Sequence, residues 1–432
     1  MKIKKLRMQS FRGVSDLTLS FDAQLNILIG DNGSGKSSIL ECLSAFINYF
    51  AEQIKLAHQN KTYFNRESLN VFSDDDTNIN IQNKIEARIE VVINSANIEL
   101  LIQKSRENPL SEVILQLFEA ISQLFQSEAI LQYPRPLTLI SADQIPTLVY
   151  YSVKRDILFG NVQDFQEDKS YSILNVYNRA FSGGQVVFNE FFEWFRTLEE
   201  VENELIRDNP NYRDKQLESV RQAIYTFLPE FKDLRIRRRP ELRMTVTKNS
   251  AELTINQLSD GEKNLLAMVG DLARRLAIAN PEMEKPEQGS GVVLIDEIEL
   301  HLHPKWQRMV IPALLRTFPN CQFIITTHSP QVLGEVKDGK IYRLANTESG
   351  VTAEIVRTYG RDSNRILEDE MGVPKRSQKI KDGLSDLFRL IDDGNLPKAR
   401  ELQEYLKGEI GFDEPEFARA DVLIHRKEVL GR

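Results

Sequence analysis

Several stretches of this sequence carry residues spaced for phosphate chemistry. The run Leu25-Asn26-Ile27-Leu28-Ile29-Gly30-Asp31-Asn32-Gly33-Ser34-Gly35-Lys36-Ser37-Ser38 fits the template G-x-x-x-x-G-K-[ST] in full. Its apolar part reads as a buried strand. The glycines let the following loop curl until successive backbone N–H groups face one anion. Lys36 is expected to reach the β- and γ-phosphates of a nucleotide, with the Ser37 hydroxyl as a Mg2+ ligand. Gly30, Asn32, Gly33, Ser34, Gly35 and Ser38 complete the expected nucleotide-binding loop. A helix beginning at Ser37 adds free donors and a favourable dipole. A Gly/Ser-rich turn with a chance lysine is the bland alternative, and it leaves the order of strand, loop and helix unexplained.

Further along, Gly291-Val292-Val293-Leu294-Ile295-Asp296-Glu297 is an apolar strand ending in two carboxylates. Asp296 is placed to hold Mg2+ through water, and Glu297 to orient or deprotonate a water attacking the γ-phosphate. A buried acidic pair at a strand end is unfavourable unless a cation is near. Before it, Gln257-Leu258-Ser259-Asp260-Gly261-Glu262-Lys263 precedes a helical run, Asn264 to Leu276. The Ser259 hydroxyl and Gly261 amide thus fall at a helix N-terminus suited to a second anion, although alone they would make an ordinary cap. After it, Gln322 to Pro330 forms another apolar strand with His328 at its end, read as a γ-phosphate contact. His301 and His303 have no Cys or further ligand beside them, so a turn near the nucleotide fits them better than a metal site.

The elements that must position these residues follow from periodicity. Lys2 to Phe21 alternates as two strands broken at Arg12-Gly13, and Ser38 to about Leu56 has helical spacing. The acidic trio Asp74-Asp75-Asp76 reads as a solvated loop. Ile85 to Leu101 alternates as strands, a helical stretch spans about Ser111 to Phe125, and Pro134-Arg135-Pro136 follows. Leu148 to Val153 reads as a buried strand ending in Lys154-Arg155. After the Gly183-Gly184 break, Val187 to Leu228 is helical, too short for a long coiled-coil arm. Leu234 to Val246 resembles a hairpin with cations on alternate positions. Those cations suit either a phosphate backbone or the solvated face of a sheet edge.

Bulk properties narrow the classes. The chain has 432 residues, 41% of them hydrophobic, enough for a sizeable core in two or three domains. A net charge of −8 argues against indiscriminate coating of nucleic acid and confines any DNA contact to one face. Two cysteines, Cys42 and Cys321, fit a reducing cytoplasm. No run reaches the ~18 apolar residues of a membrane span, so a cytoplasmic protein without a membrane partner is expected.

Taken together, the phosphate loop, Leu258-Ser259-Asp260-Gly261-Glu262, Ile295-Asp296-Glu297 followed by Glu299-Leu300-His301-Leu302-His303-Pro304, and Thr326-Thr327-His328-Ser329-Pro330 resemble the ABC-type ATPases of the RecF/SMC/OLD group. The resemblance runs from Lys2 to about Arg343. It implies an α/β ATPase head, a mixed sheet with flanking helices, that binds ATP and Mg2+ and hydrolyses ATP with Glu297 and His328 as catalytic residues. It also makes Leu258 to Glu262 a signature that binds the γ-phosphate of ATP held by another protomer, so Ser259, Gly261 and Glu262 would complete a nucleotide sandwich in a homodimer or higher homo-oligomer. Ile298 to His303 would be the D-loop crossing that interface. The Phe11-Arg12-Gly13 turn resembles the group's N-terminal motif, which places Arg12 near the adenine and phosphates. No clear Q-loop glutamine is present; the strand Val149 to Val153 with Arg155 occupies its place.

Within the group, the missing coiled coil excludes long-armed SMC-like members. Ser-Asp-Gly-Glu, Leu-His-Pro and the insertion before the signature disfavour transporter ATPases, and no Asp-x-Asp for a Toprim nuclease follows His328. The tail from Gly360 is similar to that of the compact ATPases of Septu-type anti-phage systems, also found with retrons, where the ATPase pairs with a separate HNH nuclease. The expected organisation is an N-terminal head part (1–160), a helical insertion (161–230), a C-terminal head part (231–360) and a helical tail for partner or oligomer contacts (361–432). The alternative is a RecF-like repair factor acting as an ATP-switched DNA clamp.

Overall fold

The computed structural model describes residues 1–58, 84–93, 96–105, 145–153, 173–181, 188–348 and 350–430. Asp74 to Asp76, the helical stretch at 111–125, Pro134 to Pro136, Arg155 and the Gly183-Gly184 break lie outside them. Two compact units are present, Met1–Arg361 and Asp362–Arg432. Among the described residues no helix is long and apolar enough to cross a membrane.

The first unit opens with β1 (Lys2–Phe11) and β2 (Val14–Ser20), antiparallel with Leu6 opposite Leu19 and Met8 opposite Leu17. That register puts one apolar face of the hairpin inward, where Ile3, Leu6, Met8, Leu17 and Leu19 are buried. Next come β3 (Leu25–Gly30), α1 (Lys36–His58), β4 (Lys84–Ile93), β5 (Ala96–Ser105) and β6 (Thr147–Tyr151). The sheet order β2-β1-β4-β5 shows that the first hairpin is extended by the second into one antiparallel sheet. Along α1 the residues at helical spacing, Ile39, Leu40, Leu43, Phe46, Ile47 and Phe50, are all buried, which anchors the helix behind the phosphate loop.

The chain continues with α2 (Phe188–Asp208), α3 (Lys215–Phe227), β7 (Phe231–Arg237), β8 (Arg243–Lys248), β9 (Ala251–Thr254) and α4 (Asp260–Ala279). The segment read as an insertion includes α2 and α3. Both pack on α4, with the Phe191 ring where a side chain on Gly270 would have to go. The expected hairpin is two strands of a three-stranded sheet, β7-β8-β9. Three of its cations are ion-paired, Arg235 with Asp233, Arg237 with Glu252 and Arg238 with Glu200, while Arg243 donates to the carbonyls of Arg239 and Glu241. Of the two readings of this hairpin, the structure supports the solvated sheet face.

Then follow β10 (Gly291–Ile295), α5 (Pro304–Thr317), β11 (Cys321–Thr326), α6 (Pro330–Leu333), β12 (Lys340–Thr347) and β13 (Gly350–Val356). The central sheet has the order β13-β12-β3-β11-β10-β6, parallel from β12 to β6, with β13 antiparallel at the edge. β3, β6, β10 and β11 are buried almost throughout, as expected for parallel strands covered on both faces. Side chains of β11 and β12 join the two large sheets: the Tyr342 hydroxyl of β12 accepts from the Ser20 amide of β2 at 3.2 Å and donates to the Ser20 carbonyl at 2.5 Å. Gln322 of β11 accepts from the Ile3 amide at 2.7 Å and donates to the Ile3 carbonyl at 2.7 Å, copying a strand's hydrogen-bonding edge. The carboxyl ends of β3, β11, β10 and β6 consequently lie along one sheet edge, where α/β folds gather their ligand-binding residues.

The second unit consists of α7 (Ser363–Met371), α8 (Gln378–Asp392), α9 (Leu396–Ile410) and α10 (Pro415–Leu430). Leu387, Ile391, Phe417, Ala420 and Ile424 form its core. Arg376 ties the segment before α8 to Glu414 and Glu416 near the start of α10.

Candidate functional site

At the end of β3 the chain turns at Gly30, with φ of 141°. A Cβ there would lie 2.3 Å from the Leu344 carbonyl oxygen and 2.7 Å from Ser34 Oγ, so only glycine lets β12 and the loop come this close. Gly33 and Gly35 also take positive φ, 81° and 94°, and carry the loop around. The Ser34 amide donates to the Asp31 carbonyl at 3.1 Å. Its hydroxyl is buried without a hydrogen-bond partner among the described residues, an orphan that costs about 1–3 kcal/mol unless a ligand satisfies it. Lys36 donates from Nζ to the carbonyls of Gly30 and Asp31, each at 2.8 Å. Burial pulls its ammonium below the ordinary value, while Asp296, Glu297, Asp31 and Glu299 push it back up. Asn32 and Ser37 are exposed and Ser38 is half-buried at the mouth of this loop.

Two strands away, the Asp296 amide donates to the Tyr151 carbonyl at 2.8 Å, continuing the β10–β6 ladder by one residue. Thr326 binds both acidic residues. Its hydroxyl donates to Asp296 Oδ1 at 2.5 Å and accepts from the Glu297 amide at 2.7 Å, which uses both capacities of a hydroxyl. Glu297 has φ of 48°, a left-handed backbone that costs a non-glycine residue about 1–3 kcal/mol and turns the chain sharply off the strand. Glu299 then reaches across to the end of β11. Its carboxylate accepts from Thr327 Oγ1 at 2.7 Å and from the His328 amide at 2.5 Å. The His328 ring itself is exposed at this edge. His303 caps α5, its Nδ1 accepting from the Lys305 amide at 3.2 Å.

The segment before α4 is held differently. Ser259 is the N-cap: its hydroxyl accepts from the Glu262 amide at 3.4 Å and donates to Glu262 Oε2 at 2.9 Å. The Ser259 amide also donates to Glu262 Oε2, at 3.1 Å, closing a capping box. Lys248 of β8 donates to Glu262 Oε1 at 2.5 Å. Burial opposes the Glu262 charge, and the bonds from Lys248 and Ser259 outweigh it, leaving the carboxyl below its ordinary value. A Cβ on Gly261 would meet the His301 carbonyl oxygen at 2.9 Å, so this segment rests on the turn after Glu299 in the same chain. At the other side of the phosphate loop, Arg12 sits on the β1–β2 turn with φ of 49° and pairs with Glu41 of α1.

Residues 25–334 match a family model described as “AAA domain, putative AbiEii toxin, Type IV TA system”. The chain belongs to this AAA-domain family. It is an ATPase, and three named relatives each match about four fifths of its length or more. The “Retron Vc95 probable ATPase” of Vibrio cholerae serotype O1 biovar El Tor is 31% identical over 391 residues, 79% of this chain and 73% of that protein. The “Retron Ec83 probable ATPase” of Escherichia coli is 28% identical over 442 residues, 88% of this chain and 78% of that protein. The “Septu protein PtuA” of Bacillus thuringiensis is 24% identical over 418 residues, 92% of this chain and 91% of that protein.

In this ATPase the structure brings Lys36, Asp296 and Glu297 into one electrostatic neighbourhood, with His328 tied to it through Glu299. Ser259 and Glu262 belong to a second network built on Lys248, while Gly261 rests against the His301 carbonyl. Sequence reasoning assigned no role to Thr326, Glu299, Lys248 or Glu41. Thr326 and Glu299 lie inside quoted motifs, and a hydroxyl two residues before His328 was a usable signal. Nothing local marks Lys248, which meets Glu262 only through the β7-β8-β9 sheet.

Proposed function

We propose that this ATPase is a subunit of an anti-phage defence complex, that it assembles through nucleotide-sandwiched dimers, and that it holds a separate nuclease in a nucleotide-dependent state. One observation carries the sandwich. A single chain offers two helix N-termini suited to phosphate, at Lys36 and at Asp260, and they answer to separate charge networks. The carboxylates acting most strongly on Lys36 come from its own loop and from the ends of β10 and its turn. In the sandwich, Ser259 and Gly261 complete the site of another copy.

In this reading the Lys36 ammonium exchanges the Gly30 and Asp31 carbonyls for β- and γ-phosphate oxygens, and Ser34 Oγ gains a partner from the same phosphates. Gly30, Asn32, Gly33, Gly35 and Ser38 line the phosphates, and Arg12 lies toward the nucleotide from the β1–β2 turn. Ser37 and Asp296 fit Mg2+, which prefers one or two protein oxygens beside phosphates and water. Bound there, the ion would neutralise charge on the β- and γ-oxygens. Glu297 orients the attacking water and takes its proton, and His328 contacts the γ-phosphate. Thr326 fixes the relative positions of the two acidic residues, and Glu299 fixes the backbone that carries His328.

Support for the defence setting comes from the retron and Septu names of the relatives, and the Septu-type tail implies a separate HNH-type nuclease. The DNA-clamp alternative is the weaker reading, because Arg237 and Arg238 of its basic run pair with Glu252 and Glu200. Purification of a tagged chain from its native operon tests the proposal. A nuclease that co-purifies and is released or activated on changing nucleotide supports it. A chain that purifies alone and cuts DNA with divalent metal, even as Glu297→Gln, overturns it.

A further inference from the structure

Beneath the site lies a buried polar cluster to which the nucleotide chemistry assigns no task. Tyr151, Asp271, Arg274 and Arg275 are each no more than 5% exposed. The Tyr151 hydroxyl donates to Asp271 Oδ2 at 3.0 Å. Arg275 Nε donates to the same oxygen at 2.7 Å, and Arg274 Nη2 to Oδ1 at 2.8 Å. Arg275 also donates from Nη1 to the carbonyls of Val176 and Asn178, at 2.5 and 3.0 Å, while Arg274 approaches Glu190 of α2 at 3.8 Å. Burial opposes the Asp271 charge, yet the two guanidiniums hold its carboxyl at about 2. Such a cluster is a poor way to gain stability, since apolar side chains of equal volume often serve as well. What it does supply is a fixed position.

The elements it joins are informative. Tyr151 ends β6, and its carbonyl is the acceptor for the Asp296 amide. Asp271 lies on α4, eleven residues beyond its first residue and about 17 Å along the helix axis. The cap residue Ser259 stands at the near end of that same rigid helix. We propose that Tyr151 and Asp271 are positioning residues that couple the two halves of the composite site. The bond between them transmits the position of the Asp296 strand end to α4, and hence to Ser259. This inference rests on the sandwich reading and adds the intramolecular link that this reading needs.

Full-length Tyr151→Phe removes only the hydroxyl and leaves Asp271 paired to both arginines. The expected result is a fall of about tenfold in ATP turnover, with monomer ATP affinity within about twofold of wild type. Asp271→Asn should lower turnover in the same way, and the double variant should be no slower than the slower single one. Should Asp271→Asn fail to fold, Tyr151→Phe decides alone. Wild-type turnover in Tyr151→Phe, additive losses in the double variant, or a matching loss of ATP affinity would each overturn the coupling. Association of wild-type protein with ATP, measured in parallel, separates the two ideas. If the wild type stays monomeric with ATP bound, the sandwich reading fails and takes this inference with it.

Discussion

The phosphate loop before α1 and the cap before α4 both present a helix N-terminus, yet the chain prepares them differently. In the loop, glycines set the backbone, Ser34 Oγ is buried without a partner among the described residues, and Lys36 bonds to carbonyls that a phosphate can replace. At the cap, Ser259 is bonded to Glu262, and Glu262 to Lys248. The first holds donors that a bound anion would satisfy, as the proposed function requires. The second satisfies itself, and in the proposed sandwich it would exchange an internal carboxylate for an incoming phosphate. The loop should therefore govern nucleotide affinity, and the cap should govern association.

The largest test of that division is Lys36→Ala. Losing a charge-assisted donor at about 1.5–3 kcal/mol per bond should weaken ATP binding by about a hundredfold or more, read by calorimetry. Unchanged affinity would break the comparison at its first half. Glu297→Gln should reduce steady-state turnover by about 10²–10⁴-fold, the range for loss of a positioned base, while ATP stays bound. Lys248→Ala sharpens the second half. With Glu262 no longer neutralised, ATP-driven association should weaken about tenfold by sedimentation, and monomer affinity should hold. An equal loss of both would mean the two networks are not separate. His303→Ala is the smallest: loss of the α5 cap should cost about 1 kcal/mol of stability and leave turnover intact, whereas a large loss of turnover would give that side chain a place in the site.

Which parts of this architecture could be read from sequence follows from how local their causes are. The unit β3, loop and α1 was legible because buried strand, glycine turn and apolar helix face are consecutive, and each constrains its neighbour. β6 was legible because five consecutive buried residues, Thr147–Tyr151, are rich in β-branched and aromatic side chains. β9 was missed: Ala251–Thr254 has only four residues, none of them buried, so no alternation betrays it. The hairpin cations were ambiguous because Glu252 comes from that unseen strand and Glu200 from α2. Gln322 joining Ile3 across 319 residues, and Glu299 holding the His328 backbone, depend on sheet order, which sequence does not reveal. The strands, loop and helix that carry the candidate residues were therefore legible, and the side chains that hold them in place were not.

The central claim is that ATP held by one chain is completed by the cap of another. Its most direct test is the solution mass of Glu297→Gln with ATP, alone and combined with Ser259→Ala. The expected result is an ATP-dependent dimer or larger assembly for the single variant and a shift toward monomer for the double, with equal monomer affinity for ATP in both. Assembly that is unchanged by Ser259→Ala, or a monomer with ATP bound in both, would contradict the account.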